Sequence, residues 1–177
     1  MSTLLHPDMP EGGADRKQFM AQKFGSLERA KELYENVRNA GKAVDIPFEF
    51  GKIERSPNTL DSHRLLRWAD SAGCQDAMVE ILFRRFFLDG EDIGDRAVLL
   101  AAAKEAGMDT DLVADLFDKD ADRDLVSQED MRARQMGISG VPFFILNNKY
   151  ALSGAQDAAA FLAAFDKIEA DEAQAPE

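Results

Sequence analysis

Apolar positions recur every three or four residues along most of this chain, the spacing of one helix face. Helical patterns begin at Asp15. After Ser26, a cap residue, they fall at Leu27, Ala30, Leu33, Tyr34 and Val37, with Gly41 expected just past the helix end. Asn58 or Thr59 caps a run to about Ser71, and the stretch from Gln75 to Leu88 sets Met78, Ile81, Leu82 and Phe86 on a broad apolar face. Trp68 and the Phe83, Phe86 and Phe87 group share this spacing and read as core. Further helices are expected near 95–106, 110–118 and 123–136, stopped by Gly107 and Gly137. Extended segments are few. Ile46-Pro47-Phe48-Glu49-Phe50 carries a proline and is at best an edge strand. Residues 142–146 and 149–152 form a hairpin around Asn147-Asn148, a pair that tolerates the positive φ of a tight turn. Asp157 then caps a last helix presenting Phe161, Leu162, Phe165 and Ile168. Residues 1–13 read as irregular, and the acidic, apolar-poor stretch 169–177 as a disordered tail.

Composition narrows the function classes. A chain of 177 residues, 45% hydrophobic and 31% charged, suits one soluble domain with a real core. A net charge of -12 with no basic patch excludes phosphate-backbone binding as a main activity and disfavours anionic membrane surfaces. No run is long enough for a membrane span, and Met1 to Gly13 lacks the basic start and apolar core of a signal peptide. One cysteine makes no internal disulfide, so a cytoplasmic home is the simplest expectation.

Candidate chemistry concentrates in Gly137–Gln156. Pro142 has no N–H to donate, so at the head of a strand it marks an open position, and a Val-Pro bond there is a candidate for the cis isomer. Gly140, Val141 and Pro142 would then offer exposed, extended backbone as a docking edge for a peptide. The plainer alternative is a proline opening an ordinary edge strand. Gly154-Ala155-Gln156 opens the last helix, and its N–H groups could receive a carboxylate or could simply make a tight turn.

Other motifs carry less. Asp118, Asp120, Asp122, Asp124 and Glu129 sit at calcium-loop positions, but Arg123 stands where that loop needs glycine, which favours a solvated acidic helix start. Cys74 lies between two expected helices with no second thiol to cycle with, so a structural role is preferred. His6 and His63 have no cysteine or acidic cluster at metal spacing, and no metal is expected. Asn58, Asp61 and Arg64 project at one-turn intervals from a helix start. Alone, that is a capped amphipathic helix with Arg64 in solvent.

The string Gly-Val-Pro-Phe-Phe, the hairpin and Ser153-Gly154-Ala155-Gln156 together resemble the FrnE-like branch of the DsbA family of thioredoxin-fold oxidoreductases. His6-Pro7-Asp8-Met9-Pro10, Lys23-Phe24-Gly25-Ser26, Pro57 through Leu65 and Asp92-Ile93-Gly94-Asp95 extend the resemblance over nearly the whole chain. It implies a helix-rich α/β thioredoxin-like fold: a mainly helical insertion over 14–137, the C-terminal ββα half over 138–168, and an N-terminal βα unit, with its Cys-x-x-Cys, missing from this chain. It implies thiol-disulfide oxidoreductase chemistry on a protein or peptide substrate held at Val141 and the cis-Pro142, near Gln156. Similar glutathione-using transferases and chromene-carboxylate isomerases give the second reading, a glutathione-dependent isomerase or transferase, in which Asn58, His63 and Arg64 would rim the cleft. A non-catalytic peptide-binding module is the third. In the family the first strand pairs with the one at 142–146; without it that edge is open, so a homodimer or a rearranged sheet using Ile46–Phe50 is expected.

Overall fold

The computed structural model describes residues 5–6 and 9–173. Side-chain caps start most helices. Asp15 accepts from the Gln18 N–H at 2.9 Å to open α1 (Arg16–Phe24), and Ser26 from Arg29 at 3.1 Å to open α2 (Leu27–Lys42). Asn58 caps α3 (Leu60–Ser71) through the Leu60 N–H at 3.0 Å. After α4 (Gln75–Arg84), Asp95 and Asp109 cap α5 (Arg96–Glu105) and α6 (Thr110–Asp118) in the same way. Next comes α7 (Arg123–Gln135), which stops at Gly137, where φ is +82° and a side chain would be strained.

The core gathers around α3, which packs on α4, α5 and α7. Leu65 and Ala69 of α3, Met78 of α4, Leu99 and Ala102 of α5 and Val113 of α6 are almost wholly buried. Each of the larger ones, Leu65, Met78, Leu99 and Val113, contributes about 1.5–3 kcal/mol on leaving water. A satellite aromatic group lies under α2, where Tyr34 and Phe48 flank Phe50 at ring distances of 4.5 and 5.0 Å and Phe87 closes on Phe48 at 5.6 Å.

The strands make two separate antiparallel ladders among the described residues. One is minimal: β1 (Ala14–Asp15) with β2 (Arg55–Ser56), which the sequence pattern does not signal. The other is the hairpin of β3 (Phe143–Leu146) and β4 (Tyr150–Ser153), in register Phe144 to Leu152. Asn147 and Asn148 take φ values of 49° and 52°, and Lys149 N–H closes the turn on Leu146 C=O at 3.1 Å. Phe144 meets Phe161 edge to face at 4.9 Å, seating α8 (Ala158–Ala173) on the hairpin.

Five expectations are corrected. Phe83, read as core, is 57% exposed, and Phe86 and Phe87 are only partly buried. Ile46–Phe50 is not a strand. The N–H groups of Val44 and Ile46 both bond Gly41 C=O, Glu49 N–H bonds Phe87 C=O, and the chain coils into a 3-10 turn at Phe50–Lys52, so its backbone groups are spent on neighbouring helices. Gly41 lies inside the last turn of α2, not past it. The helix expected to run to Leu88 ends as α at Arg84 and continues as a π turn over Arg85–Asp89. The tail expected as disordered from 169 is helical to Ala173: Asn147 donates to Glu172 at 2.7 Å, Tyr150 O–H donates to Asp171, and Lys167 pairs with Asp171 at 3.3 Å. Residues 174–177, like Pro7 and Asp8 of the N-terminal motif, lie outside the described residues.

Gly41 is glycine for space. A Cβ there would lie 2.5 Å from the Phe48 ring and 2.8 Å from Ile46 C=O, closer than packed atoms approach. Gly41→Ala is therefore expected to cost about 1–3 kcal/mol despite alanine's better helix propensity, read as a lower urea midpoint with unchanged helix content.

Candidate functional site

Two regions hold the residues that the sequence singles out. The first is the Gly140–Pro142 segment at the head of β3. The Val141–Pro142 peptide bond is cis. Val141 is 68% exposed, and Gly154 N–H bonds Pro142 C=O at 2.9 Å, closing the mouth of the hairpin. β3 pairs only with β4 among the described residues, so its far edge is open. Phe144 and Ile145 on β3 are exposed apolar side chains of that strand, and Leu162 and Phe165 of α8 are exposed as well. Gly140, Val141 and Pro142 bend rather than extend; the extended backbone is that of β3 beside them, bordered by the apolar Phe144 and Ile145, a strand edge of the kind that can pair with an extended chain.

Gln156 does not face this opening with a free amide: its Nε2 donates to Ser153 C=O at 2.8 Å. Nor does Gly154-Ala155-Gln156 start the last helix. That helix begins at Ala158, and the Asp157 carboxylate already accepts its Ala160 N–H at 2.9 Å, so an incoming anion would meet a negative charge. The turn is the plain strand-to-helix connection.

The second region is the start of α3, where a cavity of about 300 Å³ is lined by Met9, Glu11, Asn58, Leu60, Asp61 and Arg123, among others. Of the three expected rim residues only Asn58 reaches it, and its amide donates to Met9 and Pro10 C=O at 3.0 and 3.3 Å. His63 is half-buried and turned back on its own helix: its Nδ1 donates to Thr59 C=O at 2.6 Å, and desolvation lowers its pKa, opposed by that hydrogen bond and by the charge of Asp130. Arg64 is neither on a rim nor in solvent. It is 1% exposed, with Nε on Ala121 C=O at 2.7 Å, Nη2 on Leu116 C=O at 3.1 Å and Nη1 on Asp61 at 2.8 Å. Its guanidinium lies 5.2 Å from the ring centres of both Trp68 and Phe117. Arg123, the cation that does line the cavity, is taken by Asp120 and Glu11. The residues present do not converge into the cationic rim that the two carboxylates of glutathione call for.

The acidic stretch is likewise committed. Asp118 pairs with Arg96 at 2.7 Å, Asp120 with Arg123 at 3.1 Å and Glu129 with Arg67 at 2.9 Å, while Asp122 accepts the Trp68 indole N–H at 2.8 Å. Arg96 draws the Asp118 carboxyl below its ordinary range by hydrogen bonding to it. These carboxylates turn away from a common centre, and among the described residues no three His, Cys, Asp or Glu side chains gather as a metal set. Cys74 stands at the N-cap of α4, partly buried against the core. The sequence reading missed one constellation, Asp130 and Arg134 of α7 with the Leu5 backbone. Its only sequence signal is an ordinary i, i+4 pair, because the third partner lies 125 residues away.

A family model described as the DSBA-like thioredoxin domain matches residues 2–166. The chain is also similar to the crystal structure of a probable DsbA oxidoreductase from Streptomyces coelicolor, at 28% identity and a TM-score of 0.82, over 97% of this chain and 74% of that one. No curated protein sequence matches. The helix-rich α/β thioredoxin-like fold expected from the sequence is thereby shown. No helix among the described residues is long and apolar enough to cross a membrane.

Replacing Arg64 by leucine keeps the volume but strands two buried carbonyls and Asp61. The loss expected is about 3 kcal/mol, seen as a lower denaturation midpoint by tryptophan fluorescence, since Trp68 reports on the same cluster.

Proposed function

Because the chain belongs to the DSBA-like thioredoxin-domain family, a family of thiol-disulfide oxidoreductases, we propose that its Gly140–Val141–Pro142 segment and the outer edge of β3 hold the extended backbone of a disulfide-bearing protein substrate. The observation that carries this is the exposed Val141 at the head of an edge strand left open among the described residues and flanked by Phe144 and Ile145. A strand added there takes its affinity from main-chain hydrogen bonds and its preference from the alternating side chains, so an apolar, unfolded segment fits better than a folded, charged surface.

These residues contribute docking rather than thiol chemistry. Disulfide exchange proceeds through a mixed disulfide that a second thiol resolves, and the sequence holds the single Cys74. A FrnE-like member of a reducing, cytoplasmic compartment is the setting proposed for a chain with one cysteine. A second copy of the chain competes for the same edge, which is the basis for proposing a homodimer at high concentration.

An NMR titration tests the reading. The probe is an unstructured apolar peptide whose cysteine is blocked, so docking is read apart from chemistry. Amide shifts are expected at Val141, Phe143 and Ile145, and Val141→Asp is expected to weaken binding about tenfold, equivalent to about 1.4 kcal/mol. Shifts that avoid β3, or none up to millimolar peptide, sink the proposal. Reduced glutathione, titrated separately, would favour the isomerase or transferase class by shifting Asn58, Leu60 and Gly94 at the α3 cavity. The same β3 amides moving as the chain itself is concentrated would show self-pairing.

A further inference from the structure

Helix α8 opens with an unbroken apolar run, Ala158 to Phe165. Seating it on the hairpin takes only one side of that run, through Phe161, and full burial is confined to Ile168 further along. A helix that packs on one side ordinarily carries charge on the other, as α2 does with Glu28, Arg29, Lys31 and Glu32. The outer side of α8 does not. Ala158, Leu162 and Phe165 follow one another at the four- and three-residue steps of a single stripe, with Leu162 62% and Phe165 46% exposed. Phe161 joins this stripe to the strand: its ring lies 4.9 Å from that of Phe144 and 6.5 Å from that of Phe165. Apolar surface thus runs from β3 across the first half of α8.

The far end of the stripe changes character. Glu169 takes its next place, one turn past Phe165, and Asp166 stands one turn past Leu162. The helix has one cation, Lys167, and it is paired with Asp171 at 3.3 Å, while Glu172 accepts from Asn147. Asp166 and Glu169 are both exposed and have no paired cation among the described residues. Two like charges at that helical spacing repel, and a cation brought between them relieves the repulsion.

We propose that the Ala158–Leu162–Phe165–Glu169 stripe is a second wall of the β3 docking surface, and that it selects polypeptide segments whose apolar residues are flanked by lysine or arginine. The inference rests on the reading of β3 as a docking edge and adds the class of substrate. Apolar side chains of the segment leave water against Phe144, Leu162 and Phe165, which supplies affinity without sequence preference. A cation beyond them reaches Asp166 and Glu169, which supplies preference and a faster encounter, both weakened by salt. A second copy of the chain is the poorer occupant. It brings the same unpaired carboxylates and a net charge of -12 to an acidic surface.

The test uses the cysteine-blocked apolar peptide in three forms, with Lys-Lys, Ser-Ser or Glu-Glu at both ends, titrated against the whole chain at low salt. The Lys form is expected to bind about tenfold more tightly than the Glu form, with the Ser form between them, because an exposed attraction of a few-fold is exchanged for a like repulsion. Amide shifts are expected at Leu162, Phe165 and Glu169 as well as on β3, and salt at about 0.5 M should erase most of the difference. Asp166→Lys combined with Glu169→Lys, both at exposed positions, should reverse the order of the three peptides. Three forms that bind β3 alike overturn the selection and leave the docking reading standing, whereas no binding by any form removes both. A preference for lysine that survives the double variant refutes the stripe as its source. Shifts on α8 that appear when the chain alone is concentrated, and not with peptide, make the stripe an interface between copies and overturn the proposal as well.

Discussion

The guanidinium of Arg64 is the interaction on which the arrangement of this chain turns. It is taken from water almost completely, a change that only dense partnering makes tolerable, and it has that density: a carboxylate, two carbonyls and two aromatic rings. Both carbonyls, of Leu116 and Ala121, come from the last turn of α6 and the loop behind it. The loop therefore cannot wander. Asp120 and Asp122 sit there with positive φ, and Asp122 is pinned by the Trp68 indole, so the direction in which α7 departs is set by one arginine and one tryptophan of α3. Hydrogen bonds with a charged partner are worth about 1.5–3 kcal/mol each, enough to offset two residues held in the left-handed region.

From that junction the fold carries its order outward to the open edge of β3. α7 crosses α3, ends at Gly137 and delivers the chain to Val141 and Pro142 within one short connection. Beyond it the ββα unit is held by its own contacts, namely the Phe144–Phe161 pair and the hydrogen bonds from the hairpin to Asp171 and Glu172. These last bonds explain why an acidic stretch without apolar pattern is helical rather than frayed. Its carboxylates are acceptors for the hairpin, and the Tyr150 hydroxyl and Lys167 both hold the Asp171 carboxyl below its ordinary range.

Periodicity made the helices and the hairpin legible because their caps and glycines are local: Ser26, Asp157, Gly137 and the Asn147-Asn148 turn each act within four residues of themselves. What periodicity could not show is where a polar side chain goes when its partners are distant. Arg64 looked like a solvent residue one turn from Asp61, and the carbonyls that bury it lie more than fifty residues on. Asp130 was an ordinary polar position for the same reason, and His63, expected at a cleft rim, bonds its own helix at Thr59 instead. The failure at Ile46–Phe50 has a related cause. Its composition suits a strand, but a strand needs a neighbour, and Gly41 and Phe87 took its backbone N–H groups first.

An apolar edge such as Phe143-Phe144-Ile145-Leu146 invites pairing with any extended chain, including its own copies. Proteins commonly blunt such an edge with lysine, proline or a covering loop. Here a proline guards only its first position and Lys149 stands past the turn, so the edge proper carries no charge. Restraint comes instead from the rest of the molecule. A net charge of -12 makes two copies repel, and α8 places Asp166, Glu169, Asp171 and Glu172 on the helix that backs the hairpin. That repulsion acts between whole copies of this chain and is absent for a neutral, unfolded segment of another protein. Charge on the body and bareness at the edge thus act on different partners: the repulsion opposes pairing of β3 with a second acidic copy and does not oppose pairing with a neutral extended segment.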